Sequence, residues 1–163
     1  MSVPRAPRLG VDVGAVRVGL AASDPDGLVA TPVATIAPDD VAAVVTEARE
    51  RAAGVVYVGL PRHLSGLEGA ATEAARRYAV VLATQVAPVE VRLVDERMST
   101  VVATAALRAA GRPGRRQRAD VDQAAAVVIL QGALDSERAT GRRAGELVAV
   151  GGPGRPDETT AEA

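Results

Sequence analysis

Acidic residues at three separated places in this sequence could together bind divalent cations. Asp12 interrupts the alternating apolar stretch of residues 8–24, Asp95 and Glu96 end an apolar run, and Asp120 and Asp122 precede an Ala-rich segment. An Asp inside a strand is unusual, because burying an unpaired charge costs several kcal/mol. Clustered carboxylates repel one another unless a cation lies between them. With no Cys and 1 His in the chain, Mg²⁺ and Mn²⁺ are the expected ions.

Each of these carboxylates also has a purely structural interpretation. Asp12 could point to solvent from an edge strand and cap the turn that follows it. Strand alternation directs only one of Asp95 and Glu96 inward, so only one of them is an expected ligand. Asp120 and Asp122 cannot share a helix face, and either could be an N-terminal cap. The residues alone leave these choices open.

The elements that must position the carboxylates predict an α/β fold. Three strands in a meander, followed by alternating helices and strands, favour a mixed five-stranded sheet with helices on both faces. In such a sheet Asp12, Asp95 and Glu96 end their strands on one rim, where ligands collect. The predicted elements are a hairpin over 8–24 with a tight Gly14-Ala15 turn, a strand over 28–36 with Pro32 on an exposed edge, a helix from Pro38 to Gly54, a central strand over 55–60, a helix over 68–85, a strand over 89–94, a helix from Ser99 or Thr100 to Ala110, and an Ala-rich helix over 120–134.

Composition limits the classes of protein that this chain can be. At 163 residues and 48% hydrophobic content, it is long enough for one domain and short for two. We expect a flexible N-terminus over 1–7, the domain over 8–138 and a mostly disordered tail over 139–163. The absence of Cys excludes disulfides and thiolate metal sites. No apolar run approaches the ~20 residues of a membrane span, so we expect a soluble, cytoplasmic protein.

Any nucleic-acid binding must use local groups of Arg, because the formal net charge is -1 and all 19 cationic residues are Arg. With no Phe or Trp and 2 Tyr, stacking of bases on aromatic rings is excluded as the main binding mode. Arg17 and Arg97, on the predicted rim, could contact phosphates or pair with the nearby carboxylates. A Gly- and Pro-interrupted cluster could grip several phosphates or be a solvated loop; it consists of Arg112, Arg115, Arg116 and Arg118.

Three further polar residues near the predicted rim have two interpretations each. Ser99 and Thr100 could hydrogen-bond a substrate, although capping of the following helix is the commoner role of such residues. His63, in the loop after the fourth strand, could relay a proton or simply be exposed.

Four ordered motifs, spanning roughly residues 8–135, resemble the YqgF/RuvX family of bacterial RNase H-like proteins, which are related to the Holliday-junction resolvase RuvC. The motifs are Asp12-Val13-Gly14 with Arg17 to Ala21, the loop Gly59-Leu60-Pro61, the run Asp95 to Thr100, and Asp122 to Ala126. The resemblance implies an RNase H-like fold with catalytic, metal-binding carboxylates at Asp12, Glu96 and Asp122. Asp122 is favoured over Asp120 because it directly precedes the small residues of the helix, as in the family.

The resemblance further implies a metal-dependent nuclease that either matures the 5' end of the small-subunit ribosomal RNA precursor or resolves branched DNA. Two divalent ions about 4 Å apart would activate a water and stabilise the leaving oxygen, with Asp12 bridging both. The expected substrate-binding residues are Arg17, Arg97, Thr100, Arg115, Arg116 and Arg118.

Two other interpretations remain. The Asp-x-Gly hairpin also occurs in sugar kinases and actin-like ATPases, but those need two such domains. A non-catalytic RNA-binding factor for ribosome assembly could keep this fold without turnover. A junction resolvase would act as a homodimer, since a two-fold junction presents two equivalent sites, whereas an RNA-trimming enzyme could be a monomer.

Overall fold

The fold is a six-stranded sheet covered by helices on both faces. The computed structural model describes residues 3–61, 69–96 and 115–150, with side chains from residue 123 onward in the last range. The strands are β1 (Arg8–Val13), β2 (Val18–Ser23), β3 (Ala30–Ile36), β4 (Val55–Leu60), β5 (Glu90–Asp95) and β6 (Glu146–Leu147). The helices of the described ranges are α1 (Val41–Glu50), α2 (Ala70–Val86) and α3 (Arg115–Thr140).

The sheet is mixed, and its strands lie in the order β3-β2-β1-β4-β5-β6. β1, β2 and β3 form the predicted antiparallel meander, while β4 and β5 run parallel to β1. Pro32 lies in β3 at the edge of the sheet, as predicted, where its missing N–H costs no ladder hydrogen bond. The α/β fold class is therefore confirmed, with one strand more than the five expected. That strand, β6, has only 2 residues and is too short to show a periodic pattern.

Two apolar cores lie on opposite faces of the sheet. Leu9 and Val11 of β1 pack toward α1 and α2, whereas Tyr57 of β4 and Leu130 pack on the α3 side. Because both faces are covered, β4 is buried at all six positions, as its continuous apolar run predicted. Alternation along each strand then decides which residues face α3.

The turn of the first hairpin is longer than the sequence suggested. It spans Gly14 to Arg17, since the N–H of Gly14 donates to the carbonyl of Arg17 at 3.0 Å. Val16 is not part of the second strand and is 75% exposed. A Cβ at Gly14 would lie 2.5 Å from the Arg17 carbonyl oxygen, so this turn requires glycine. The hairpin prediction was right in kind but wrong in the length of its turn.

The last helix begins earlier than expected. α3 starts at Arg115 rather than Asp120, so Asp120 and Asp122 lie in its second turn and neither is an N-terminal cap. Arg115 and Arg118 belong to the first turn instead of a loop. Residues 111–114 and the helix predicted from Ser99 or Thr100 to Ala110 lie outside the described residues.

A buried cluster of charged side chains attaches the C-terminal end of α3 to the sheet. The Glu137 side chain is 4% exposed and accepts hydrogen bonds from Arg8 of β1 at 3.0 Å and from Arg143 at 3.0 Å. The Tyr57 hydroxyl also donates to Glu137 and accepts from the backbone N–H of Ala144. Burial, and then the hydrogen bond to Glu137, raise the pKa of Tyr57 above its ordinary value. This cluster lies at the amino ends of β1 and β4.

The chain continues to pack on the sheet after α3. Ala144 and Val148 are buried, and β6 pairs with β5. The guanidinium of Arg92 donates to the carbonyls of Ala144 at 2.6 Å and Gly145 at 3.1 Å. The division into a domain over 8–138 and a tail over 139–163 stays a prediction, to which the structure adds these contacts of residues 144–148. Within the described ranges, no helix has the length and apolar character needed to cross a membrane.

Candidate active site

Asp12 lies near the carboxyl end of β1, on the face covered by α3. Its neighbours Val11 and Val13 face the opposite core, so alternation places Asp12 and Gly10 together on the α3 side. A Cβ at Gly10 would lie 2.6 Å from the Cβ of Leu130. Glycine at this position therefore lets α3 pack directly against β1 beside Asp12.

Glu96 directly follows β5 and reaches the same face. Leu60 pairs with Asp95 at the ends of β4 and β5, which brings Glu96 beside the end of the central strand. A Cβ at Gly59 would lie 2.6 Å from Oε1 of Glu96 and 2.5 Å from Cδ1 of Ile129. Gly59 thus leaves the space that the Glu96 carboxylate occupies, a role that its place in a turn-rich motif did not reveal.

Asp12 and Glu96 form a hydrogen-bonded carboxylate pair. Burial, followed by the charge of Asp12, the hydrogen bond to Asp12 and the charge of Asp95, raises the pKa of Glu96 to about 7. A hydrogen bond between two carboxyl groups requires a proton on one of them, and the raised pKa assigns that proton to Glu96. The structure therefore brings two predicted site residues into contact on one rim of the sheet.

The alternation along β5 separates Glu96 from its neighbour Asp95. Val94 packs with the core under α3, and Glu96 follows it by two residues on the same face. Asp95 acts on Glu96 through its charge. Glu96 is thus the better candidate ligand of the two acidic residues.

The other predicted site residues are only partly described. Arg17 ends the hairpin turn close to Asp12 in sequence and is half-buried. Asp122 lies one helical turn before Ala126 on α3. Its side chain lies outside the described part of the chain, and so do the side chains of Arg115, Arg116 and Arg118. Arg97, Thr100, His63 and Arg112 lie outside the described residues.

The carboxylate pair fits a divalent cation as part of a larger ligand set. Its oxygens are the hard donors that Mg²⁺ and Mn²⁺ prefer, and a cation between Asp12 and Glu96 would relieve the repulsion that raises the pKa of Glu96. Among the side chains that the structure describes, no three His, Cys, Asp or Glu residues form a metal-binding group. Further ligands would come from elsewhere in the chain, from water or from the substrate.

Sequence reasoning missed a basic surface that lies toward the amino end of β5, on the strand that Glu96 follows. Arg92, Arg142 and Arg143 line one hollow beside the C-terminal end of α3. The adjacent pair Arg142-Arg143 was the available signal, but it stood in the segment that composition assigned to a tail.

Comparison with known proteins places this sequence among proteins named as nucleases and resolvases. A family model described as RuvX, Holliday junction resolvase, matches residues 6–136. A Streptomyces coelicolor protein named "Putative pre-16S rRNA nuclease" is 52% identical over 150 residues, which are 90% of each chain. A Nocardioides protein with the same name is 54% identical over 156 residues, covering 86% of this chain and 95% of its own.

Solved structures give the same fold. Thermus thermophilus RuvC in complex with Holliday junction substrate has a TM-score of 0.56 and 16% identity, covering 85% of this chain and 98% of its own. The likeness at this identity concerns the fold alone, and it confirms the predicted RNase H-like class.

Proposed function

We propose that this chain, which belongs to the RuvX family of Holliday junction resolvases, is a divalent-metal-dependent endonuclease whose active site includes Asp12 and Glu96. Maturation of the 5' end of the 16S ribosomal RNA precursor is the favoured reaction, because relatives at 52% and 54% identity carry the pre-16S name. Resolution of Holliday junctions is the second candidate, because the matching family model is described as a resolvase.

The observation that carries the proposal is the contact between Asp12 and Glu96. Two carboxyl groups that share a proton at a half-buried rim cost stability, because burial and the neighbouring charge disfavour ionisation. Such an arrangement is a candidate functional site. Metal ions held there would activate a water and stabilise the leaving oxygen of a phosphodiester.

The residues of this chain divide the remaining work between them. Asp12, fixed by the ladder of β1 and β2, supplies an ionised carboxylate at the centre of the site. Glu96 supplies a second carboxylate that gives up its proton when a cation binds. Asp122 is the proposed third ligand, because it stands four residues before Ala126, and residues four apart share a helix face.

The proposed substrate contacts rest on residue type and position. Arg17, Arg97, Arg115, Arg116 and Arg118 would bind phosphates of the nucleic acid, because guanidinium groups match phosphate oxygens bidentately. Thr100 would hydrogen-bond the substrate near the cleaved bond. We propose a cytoplasmic location and leave two assemblies to experiment, a monomer acting on RNA and a homodimer acting on a junction.

Cleavage of two labelled substrates by wild type and Asp12→Asn tests this function. The substrates are a precursor ribosomal RNA fragment and a four-way DNA junction, each incubated with Mg²⁺, with Mn²⁺ and with a chelator. Asn keeps the shape of Asp12 but removes the charge that a cation needs. We expect metal-dependent cutting by wild type and a loss of at least about 100-fold in the variant.

A matched control separates the site from general effects of charge. Asp39→Asn removes one charge from an exposed residue before α1 and should cut like wild type. The substrate that is cut names the pathway. Cutting of neither substrate by wild type, or equal cutting by Asp12→Asn, would reject the nuclease and leave a non-catalytic RNA-binding factor.

A further inference from the structure

A groove leads away from the carboxylate pair along the C-terminal half of α3. Its first part is a cavity of about 250 Å³ between the end of β5, α3 and the segment after it. Glu96 and Asp95 line the end nearest the site. The rest of the wall is apolar or small; it includes Val94, Ile129, Gly132, Ala133, Ala144 and Gly145.

The second part of the groove is a basic hollow. It is lined by Arg92, Arg142 and Arg143 and shares Ser136, Ala144 and Gly145 with the apolar cavity. The two spaces therefore adjoin at these three residues. Arg92 and Glu96 lie on the same face of β5, four residues apart, which is about 13 Å along a strand.

The charge of the hollow remains positive after its ion pairs are taken into account. Glu137 is shared between Arg143 and Arg8, so one carboxylate faces two guanidinium groups. Glu90 lies 4.0 Å from Arg92, at the limit of an ion pair. Arg142 is exposed. The side chains of Arg92 and Arg143 are 17% and 13% exposed and add positive charge behind it. A phosphate is an anion that the exposed guanidinium of Arg142 can bind bidentately.

The apolar cavity has different chemistry and suits a different part of a nucleotide. Its volume is below the roughly 300 Å³ at which pockets for drug-sized ligands begin, so it admits one ring system. Ser136, at the junction of the two spaces, offers a hydroxyl that can donate or accept a hydrogen bond. A nucleobase is a flat, largely apolar group with polar edges and fits such a space.

We infer that this groove binds the nucleic-acid strand beside the cleaved bond, with a base in the apolar cavity next to Glu96 and a phosphate further along the strand on Arg142 and Arg143. The inference rests on the proposed nuclease function for its account of the cleaved bond. Both RNA and single-stranded DNA supply a base and a phosphate, so the binding experiment includes one arm with each.

Binding of short fluorescent strands by fluorescence anisotropy tests the groove. All proteins carry Asp12→Asn, so that the strands stay intact, and each is measured over a series of salt concentrations. We expect Arg142→Glu to weaken binding about tenfold and to reduce the salt slope by about one. The control Arg77→Glu makes the same charge change at an exposed position of α2, on the opposite face of the sheet, and should bind like the parent.

A second variant tests the cavity without changing charge. Ser136→Leu fills the junction of the two spaces. We expect it to weaken the binding of an intact strand several-fold and to leave the binding of a strand of abasic sugar-phosphate units unchanged. Equal effects of Arg142→Glu and Arg77→Glu, or parent-like binding by both Arg142→Glu and Ser136→Leu, would overturn the inference. Circular dichroism and thermal unfolding of each variant establish that its fold is intact.

The proposed groove and the proposed nuclease function can be rejected independently of each other. If wild type cleaves a substrate but Arg142→Glu binds it with parent affinity, the nuclease stands and the groove is rejected. If wild type cuts nothing but its binding depends on Arg142 and Ser136, the groove stands and the nuclease is rejected. The arm that binds more tightly, RNA or DNA, identifies the strand that the groove prefers.

Discussion

Two glutamates under α3, one buried and one half-buried, occupy opposite chemical environments at opposite ends of the sheet. Glu137, at the amino ends of β1 and β4, is surrounded by two guanidinium groups and a tyrosine hydroxyl. Glu96, at the carboxyl end of β5, lies against Asp12 and near Asp95, and its pKa is raised to about 7. The same residue type is thus satisfied at one end of the molecule and held beside like charges at the other.

The difference shows how one helix serves both stability and function. Removing a partner from Glu137 leaves a buried carboxylate with fewer positive charges and hydrogen bonds to compensate its burial, which is strongly destabilising. Removing the charge of Glu96 relieves repulsion and should cost the fold nothing at neutral pH. A carboxylate that lowers stability in isolation is expected where a ligand supplies the opposite charge.

The largest predicted effect comes from removing a partner of Glu137, the glutamate whose charge is balanced. Arg8→Met removes one of the two cations that face Glu137, and it leaves that buried carboxylate with Arg143 and Tyr57. We expect a loss of about 3 to 5 kcal/mol in the free energy of unfolding, measured by urea denaturation at pH 7.

Arg5→Met is the matched control for this prediction. Arg5 pairs with Asp26 at 2.7 Å, but both side chains are more than half exposed. An exposed pair is worth at most about 1 kcal/mol. Equal losses in the two variants would show that the Glu137 cluster is not a special source of stability.

The sequence predicted the site of Asp12 and Glu96 far better than it predicted the Glu137 cluster at the other end of the sheet. Asp12 stood out because an acidic residue interrupted a strand pattern, and Glu96 because it ended one. Nothing local marks Glu137, since a Glu in a polar helix turn is ordinarily exposed. Its partner Arg8 is 129 residues away in the chain, and only the folded sheet reveals the pairing.

Most of the fold was predictable because local sequence patterns mark its strands and helices. The last strand, β6, was not predictable. Long apolar runs such as residues 55–60 and periodic helices determine the order of elements along the chain. β6 depends on the pairing of two residues with β5 and on Arg92 holding the backbone of Ala144 and Gly145. Such tertiary contacts leave no periodic signal, so the basic hollow formed there was also missed.

The second prediction concerns Glu96, which lies beside like charges, and the pH dependence that it gives to the stability of the protein. Glu96 holds its proton more tightly in the folded state, with a pKa of about 7, than at its ordinary value near 4.5. As pH rises from about 4.5 to 7, the unfolded chain loses this proton first, so stability falls. We expect a loss of about 2 kcal/mol from this group in metal-free buffer.

Comparison of wild type with Glu96→Gln isolates this effect. Urea denaturation at stepwise pH should show wild type losing stability relative to Glu96→Gln between pH 4.5 and 7, while Glu50→Gln, an exposed change on α1, follows wild type. Mg²⁺ at pH 8 should stabilise wild type and not Glu96→Gln, because a ligand that binds only the folded state stabilises it. A constant difference between wild type and Glu96→Gln at every pH would refute the raised pKa.

The smallest predicted effect compares the two tyrosines of the chain. Tyr57 hydrogen-bonds Glu137 and the backbone of Ala144, whereas the buried hydroxyl of Tyr78 has no hydrogen-bond partner among the described residues, and burial raises its pKa to about 12. Tyr57→Phe should therefore cost about 1 to 2 kcal/mol of unfolding free energy, because Glu137 loses a donor. Tyr78→Phe should not lower it and should raise it by up to about 1 kcal/mol, since Phe removes the desolvation cost of an unsatisfied buried hydroxyl. Urea denaturation of both variants measures the difference, and a larger loss from Tyr78→Phe would mean that the Glu137 cluster contributes less than its contacts indicate.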